Sequence, residues 1–187
     1  MKLKLILLTL LISTGSSAAD YKIDTSGMHA SIQFKISHLG MSWLLGRFDS
    51  FDGEYSYDAE KPEESKLSLV VDTKSVNTNH AERDVHLRSD DFLDVEKYPQ
   101  ATFTSESVTL NEDNTGTMTG KLNLHGVEKS ITVNITKIGE GQDPWGGYRT
   151  GFEGTTTLVL ADYGITKDLG KASETLELIV NLEGKKQ

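Results

Sequence analysis

Seven stretches of the chain switch between apolar and polar residues with a period of two. Residues 31–37 (Ser-Ile-Gln-Phe-Lys-Ile-Ser) do so strictly. Residues 51–57 carry Phe51, Tyr55 and Tyr57 on one parity, and 66–73 carry Leu67, Leu69 and Val71. Met118, Gly120, Leu122 and Leu124 share a parity in 117–124, as do Ile131, Val133 and Ile135 in 128–137. Two further runs are 152–160 and 175–182. Successive side chains of a strand point to opposite faces, so this period predicts half-buried strands. β-Branched and aromatic residues, which suit a pleated surface, are dense in all of them.

Turn formers separate the runs: Asp52-Gly53, Asn114-Thr115-Gly116, His125-Gly126 and 143–147 (Asp-Pro-Trp-Gly-Gly). Strands at short spacing without intervening helices connect as an antiparallel meander or Greek key. The expected fold is all-β: an antiparallel barrel of about eight strands, wide enough for one small ligand. Residues 40–46, apolar and bracketed by glycines, do not alternate in the same way and suit a loop or helical turn over one mouth.

One segment breaks the period. Residues 79–88 are rich in helix formers, and a short helix is expected at about 80–89. Asn79 is placed to cap it, with Glu82 three positions on. Ala81 and Val85 would face the protein, and Asp84 and Arg88 would pair across one turn. Tyr98-Pro99 ends the excursion.

The N-terminus has another character. Lys2 and Lys4 precede an apolar stretch from Leu5 to Ile12, and small residues follow to Ala19. That order is an export signal, with cleavage fitting after Ala18 or Ala19; Ala18 is taken as the boundary. The apolar part is shorter than the roughly 20 residues that span a bilayer. The expected organisation is a signal peptide, 1–18, and one barrel domain, 19–187, in the periplasm. No other segment suits a membrane span, so an integral membrane protein is not expected.

Composition narrows the partners. The 187 residues include no cysteine, so neither disulfides nor cysteine-type zinc sites are available. The formal charge is −9, and removing Lys2 and Lys4 takes the 19 basic residues to 17 against 28 acidic ones. Such a surface repels phosphate backbones, so nucleic acid is not an expected partner.

Candidate chemistry is sparse. His80, Glu82, Asp84, His86, Asp90 and Asp91 cluster near the helix, yet His80 and His86 lie on nearly opposite faces. The cluster reads as a solvated, ion-paired connector, with acid–base or metal work as the alternative; no catalytic or metal residue is assigned. No nucleophile elbow or phosphate-cradling loop is present. His38 shares its parity with Ile32, Phe34 and Ile36, and reads as a core histidine or as a polar handle for a ligand's head group. On 152–160, Phe152, Gly154, Thr156, Leu158 and Leu160 oppose Glu153, Thr155 and Thr157, so the small Gly154 and Thr156 would leave space inside.

Four blocks carry a resemblance: HLGMSWLLGRF (38–48), DTKSVNTNHAERDVHLRSDDFLDVEKYPQATF (72–103), GKLNLHGVEKSITV (120–133) and DPWGGYRTGFEG (143–154). Together they resemble the YceI family over nearly the whole mature chain. The resemblance implies a lipocalin-like barrel with a long apolar tunnel, in which some members bind a polyisoprenoid chain such as a quinone tail or polyprenyl phosphate, and no catalytic mechanism. On that footing the expected lipid contacts are Phe34, Ile36, His38, Phe103, Leu122, Phe152, Thr156 and Leu158. The expected partner is an apolar isoprenoid lipid, and no cofactor is expected beyond a bound polyisoprenoid or quinone-type lipid. Two other functions stay open: an envelope interaction or stress protein without a lipid, and an enzyme using the 80–91 cluster. The oligomeric state is not legible.

Overall fold

A computed structural model describes residues 18–187. The expected signal peptide falls outside the described residues but for Ala18. Eleven strand segments form one antiparallel sheet that closes on itself as an eight-stranded barrel.

Strands β1 (Ala19–Ile23) and β2 (Ser31–His38) lie in line along one edge of β11 (Thr175–Lys186). Tyr21 pairs with Lys186 and Ile23 with Gly184; then Ser31 pairs with Asn181 and Ile36 with Leu176. They are one stave of the barrel, interrupted by a loop. In the same way β3 (Ser42–Phe48) and β4 (Phe51–Tyr57) follow β2 and β1. β5 (Lys66–Asp72) and the short β6 (Val76–Asn77) in turn follow β4 and β3. The remaining staves are β7 (Gln100–Leu110), β8 (Thr115–Leu124), β9 (Val127–Gln142) and β10 (Tyr148–Val159). β5 pairs with β7, each of these four with the next, and β10 with β11. His125 and Gly126, both at positive φ, make the two-residue turn from β8 to β9 that a right-twisted hairpin favours.

The expected strands are all present, with three additions and two local corrections. β1, β6 and β7 were not among the predicted runs. The apolar segment 40–46 is no mouth-closing loop; most of it is strand β3. Its inward side is Leu44, Gly46 and Phe48, and its outward side is Trp43 (66% exposed) and Leu45 (64% exposed). Outward apolar residues hid the alternation. Gly46 has a packing reason: a Cβ there would collide with the Phe34 ring on the neighbouring strand. Asp52-Gly53 is not a turn but lies inside β4.

The helix α1 (Ala81–Arg88) crosses the end of the barrel where β6 stops. Its cap is His80, whose Nδ1 accepts from the Arg83 amide at 3.2 Å. Asn79 instead sits at φ +61° and donates its own amide to Asn77 Oδ1. The expected faces are also reversed, for Val85 is 66% exposed while Asp84 is buried. The polar residues turn inward because the backbone at Thr78 needs partners: Asp84 Oδ1 accepts from Thr78 N at 2.8 Å and Oγ1 at 2.5 Å. Arg88 donates to the carbonyls of Lys74 and Val76 rather than to Asp84.

At the opposite end, the β1–β2 loop is pinned by Asp24, which is buried on the outer side of the barrel. Its carboxylate accepts from the Gly27 amide (2.9 Å), Arg149 Nη1 (2.7 Å) and His29 Nδ1 (3.0 Å), and pairs with Lys185 Nζ (3.0 Å). Burial alone would raise its pKa. The bonds from Arg149, Lys185, His29 and Gly27 outweigh it and hold the carboxyl well below the usual carboxylate range.

Candidate functional site: an apolar cavity with a polar annex

Inward-facing residues of all eight staves leave the middle of the barrel unfilled. The cavity has a volume of about 430 Å³. At the end nearest α1 it is bounded by Leu44, Leu87, Leu93 and Leu169, and toward the other end by Leu110, Met118 and Ile135. Aromatic rings stiffen the lining. Phe34 packs against Phe48 at 6.0 Å, and Phe152 meets Tyr55 and Tyr57 edge-on at 5.8 and 5.3 Å. A Cβ at Gly120 would strike the Phe103 ring, so glycine lets that ring lie flat along the wall.

All eight residues expected from the sequence line this one cavity: Phe34, Ile36, His38, Phe103, Leu122, Phe152, Thr156 and Leu158. Phe34, Phe103, Leu122 and Leu158 are buried. Thr156 marks a fork in the wall. β9 and β10 pair only as far as Asn134–Thr155, and beyond that the Thr156 hydroxyl bridges to the Thr132 carbonyl at 2.8 Å. The 160–163 turn closes the fork from outside with the buried Tyr163.

His38 is a correction. It is exposed at the rim, not a core histidine. The strand ends there, and its side chain stands at the cavity mouth beside Leu44. A second, wetter space of about 390 Å³ opens at this point, between β3 and α1. His38, Leu44 and Arg83 line both spaces. The sequence reading missed Leu44, Leu87 and Arg83.

The acidic and histidine cluster of 80–91 does not converge. His80 caps α1, Asp84 serves Thr78, and His86 Nε2 and Lys167 Nζ both reach Asp91 at 2.8 Å. The Lys167 and His86 bonds hold the Asp91 carboxyl below its ordinary range. Among the described residues, Asp24, His29 and Glu183 are the one His/Asp/Glu set close enough to share an ion. That set already pairs with Arg149 and Lys185. No helix among the described residues is long and apolar enough to cross a membrane.

Comparison with known proteins places this geometry. The family described as a YceI-like domain matches residues 21–184. A UPF0312 protein of Ectopseudomonas mendocina is 57% identical over 183 residues, spanning 98% of this chain and 96% of the relative. The crystal structure of the Campylobacter jejuni YCEI protein superposes with a TM-score of 0.73 at 28% identity, covering 81% of this chain and 90% of that one. A polyisoprenoid binding domain from Saccharophagus degradans, implicated in plant cell wall breakdown, superposes at 0.65 with 20% identity. It covers 91% of this chain and 100% of that domain, and shares the fold.

Proposed function

The chain belongs to the YceI-like family, and on that footing we propose that it is a periplasmic carrier holding a long apolar lipid of isoprenoid type inside its barrel. The observation that carries this reading is the cavity itself, elongated and walled by side chains such as Phe34, Phe103, Leu122 and Leu158. Each methylene taken from water into such a space contributes about 0.8 kcal/mol, so a thin chain gains affinity along its length. A fold neighbour that bears the name of a polyisoprenoid binding domain supports the same class of guest. The dispersed partners of the 80–91 cluster favour binding over catalysis, since a reaction needs its groups to converge. The leader pattern at the N-terminus supports export, and a lipid in an aqueous compartment needs an apolar container.

The test combines mass and occupancy. Protein purified from the periplasm of a Gram-negative host is expected to begin at Ala19 and to release an isoprenoid lipid on solvent extraction. Thr156→Trp puts an indole into the cavity and gives up the bond to Thr132. In a packed core such a change costs about 1–3 kcal/mol; here the ring has space, so a folded protein with little co-purifying lipid is expected. A stable Thr156→Trp with undiminished lipid, or wild-type protein that carries none, would refute the reading.

A further inference from the structure

Large apolar side chains stand in water around one end of the barrel. The hairpin between β2 and β3 carries four of them: Leu39 (57% exposed), Met41 (86% exposed), Trp43 and Leu45. Val85, on the outer side of α1, and Leu169, in the loop after the 160–163 turn, are exposed at the same end. This is the end where the cavity opens, for His38 and Leu169 also line it. Residues 36–46 include no Asp, Glu, Lys or Arg, although those four types make up 25% of the chain. Contiguous exposed apolar surface of this kind marks an interaction site.

The hairpin is held in shape by its own bonds. The Met41 amide donates to the His38 carbonyl at 3.0 Å, and the Gly40 amide to Ser37 Oγ at 3.1 Å. Ser173 Oγ donates to the Ser37 carbonyl at 2.7 Å and ties the strand to the neighbouring 171–173 turn. Behind the apolar tip, the next charged residue on each strand is a cation, Lys35 or Arg47. Lys35 Nζ lies 4.9 Å over the Trp43 ring. Each cation has an acid beside it, Glu177 and Asp49 respectively, at 2.5 Å. Apolar tip, tryptophan and a collar of balanced charge match, in that order, the layers of a bilayer surface: acyl chains, interface and zwitterionic head groups.

We propose that this hairpin docks the barrel, mouth first, on a zwitterionic membrane surface, so that the guest passes between bilayer and cavity without crossing water. The proposal rests on the lipid-binding reading and adds where the lipid is exchanged. A membrane fits better than a second copy of the chain because the patch surrounds the mouth. Leu44, between the outward Trp43 and Leu45, already lines the cavity, and a second chain seated there would seal the entrance. The formal charge of −9 repels anionic surfaces, so apolar insertion rather than charge holds the protein down.

The two tryptophans lie at opposite ends of the barrel, Trp43 at the mouth and Trp145 in the turn between β9 and β10. Trp145→Phe therefore leaves Trp43 as the one reporter. With phosphatidylcholine vesicles the emission of Trp43 is expected to shift to the blue, and brominated acyl chains are expected to quench it. The double variant Leu39→Asp/Met41→Asp changes two exposed positions, and aspartate tolerates the positive φ of residue 39. It is expected to bind these vesicles at least about tenfold more weakly and to bind farnesol, in calorimetric titration of the delipidated protein, as the wild type does. Wild-type binding of farnesol with no quenching of Trp43 would overturn the docking and leave the carrier reading intact. A response to neither would overturn both. A double variant that keeps its vesicle binding, or that loses farnesol, would also overturn the docking role of the hairpin. So would a dimer in solution that the double variant splits while Trp43 stays unquenched, since the face would then belong to a second copy.

Discussion

Single residues decide where this barrel is tied. Asp24 is the plainest case: a buried carboxylate that gathers Arg149, Lys185 and His29 around the loop between β1 and β2. Asp24→Asn leaves those cations facing a neutral amide and is expected to cost about 3 kcal/mol near neutral pH, the low end for a broken buried pair because Lys185 is half exposed. The native carboxyl stays ionised well below 3.8, where the unfolded chain takes up a proton. The unfolded state therefore binds more protons in acid, so the contribution is whole above about pH 5 and is lost as the pH falls from there. Urea unfolding between about pH 6 and pH 3 is expected to show a steeper loss in the wild type than in Asp24→Asn; parallel profiles would contradict this role. At the same scale, the inward residues Phe34 and Leu122 were legible because polar neighbours alternate with them. Leu44 was not, since Trp43 and Leu45 beside it are apolar and face outward. Arg83 was not legible either: it reaches the cavity from a helix whose charges read as a solvated connector.

At the scale of elements, the helix α1 shows how tertiary demands override local preference. By sequence its apolar Ala81 and Val85 should turn inward. With a single helical turn to either side there is too little apolar surface to set the orientation, and the unpaired polar groups at Thr78 take over. Capping shifted by one residue for the same reason, because Asn79 is held at positive φ by its bond to Asn77. Replacing His80 with alanine is expected to lower the denaturation midpoint by the equivalent of about 1 kcal/mol, whereas His80→Asp, a stronger cap with charge favourable to a helix N-terminus, is expected to meet or exceed the wild type. A His80→Asp protein as weak as His80→Ala would show that the imidazole matters for something other than its cap. β7 escaped notice for a different reason. Its register shifts between Ser105 and Ser107, so the inward set moves from Ala101 and Phe103 to Val108 and Leu110. A bulge of this kind cancels the period-2 signal across the strand.

For the molecule as a whole, the meander and a barrel of about eight strands were readable from the number of runs, and which strands meet at its closure was not. Alternation reports one buried face; it is silent on whether the first strand meets the last, which depends on twist and stagger summed over every stave. The seam is where β1 runs beside β11, with Tyr21 next to Lys186 and the Gln187 amide bonded to the Asp20 carbonyl. That junction carries a consequence in time. Neighbouring staves β8 and β9 meet across a two-residue turn, but the seam joins the two ends of the chain, and its entropy of closure is the largest in the fold. Sheets dominated by such distant pairings fold slowly, and the most distant pairing forms last. Ile23→Val, at the seam, is therefore expected to raise the unfolding rate and leave refolding unchanged, while Ile131→Val in the β8–β9 hairpin slows refolding. Stopped-flow chevrons separate the two limbs, and a seam variant that refolds more slowly would contradict this order. Until that last stave zips, the cylinder is an open trough whose apolar floor faces water, and the interval before closure is when a long guest has the widest way in.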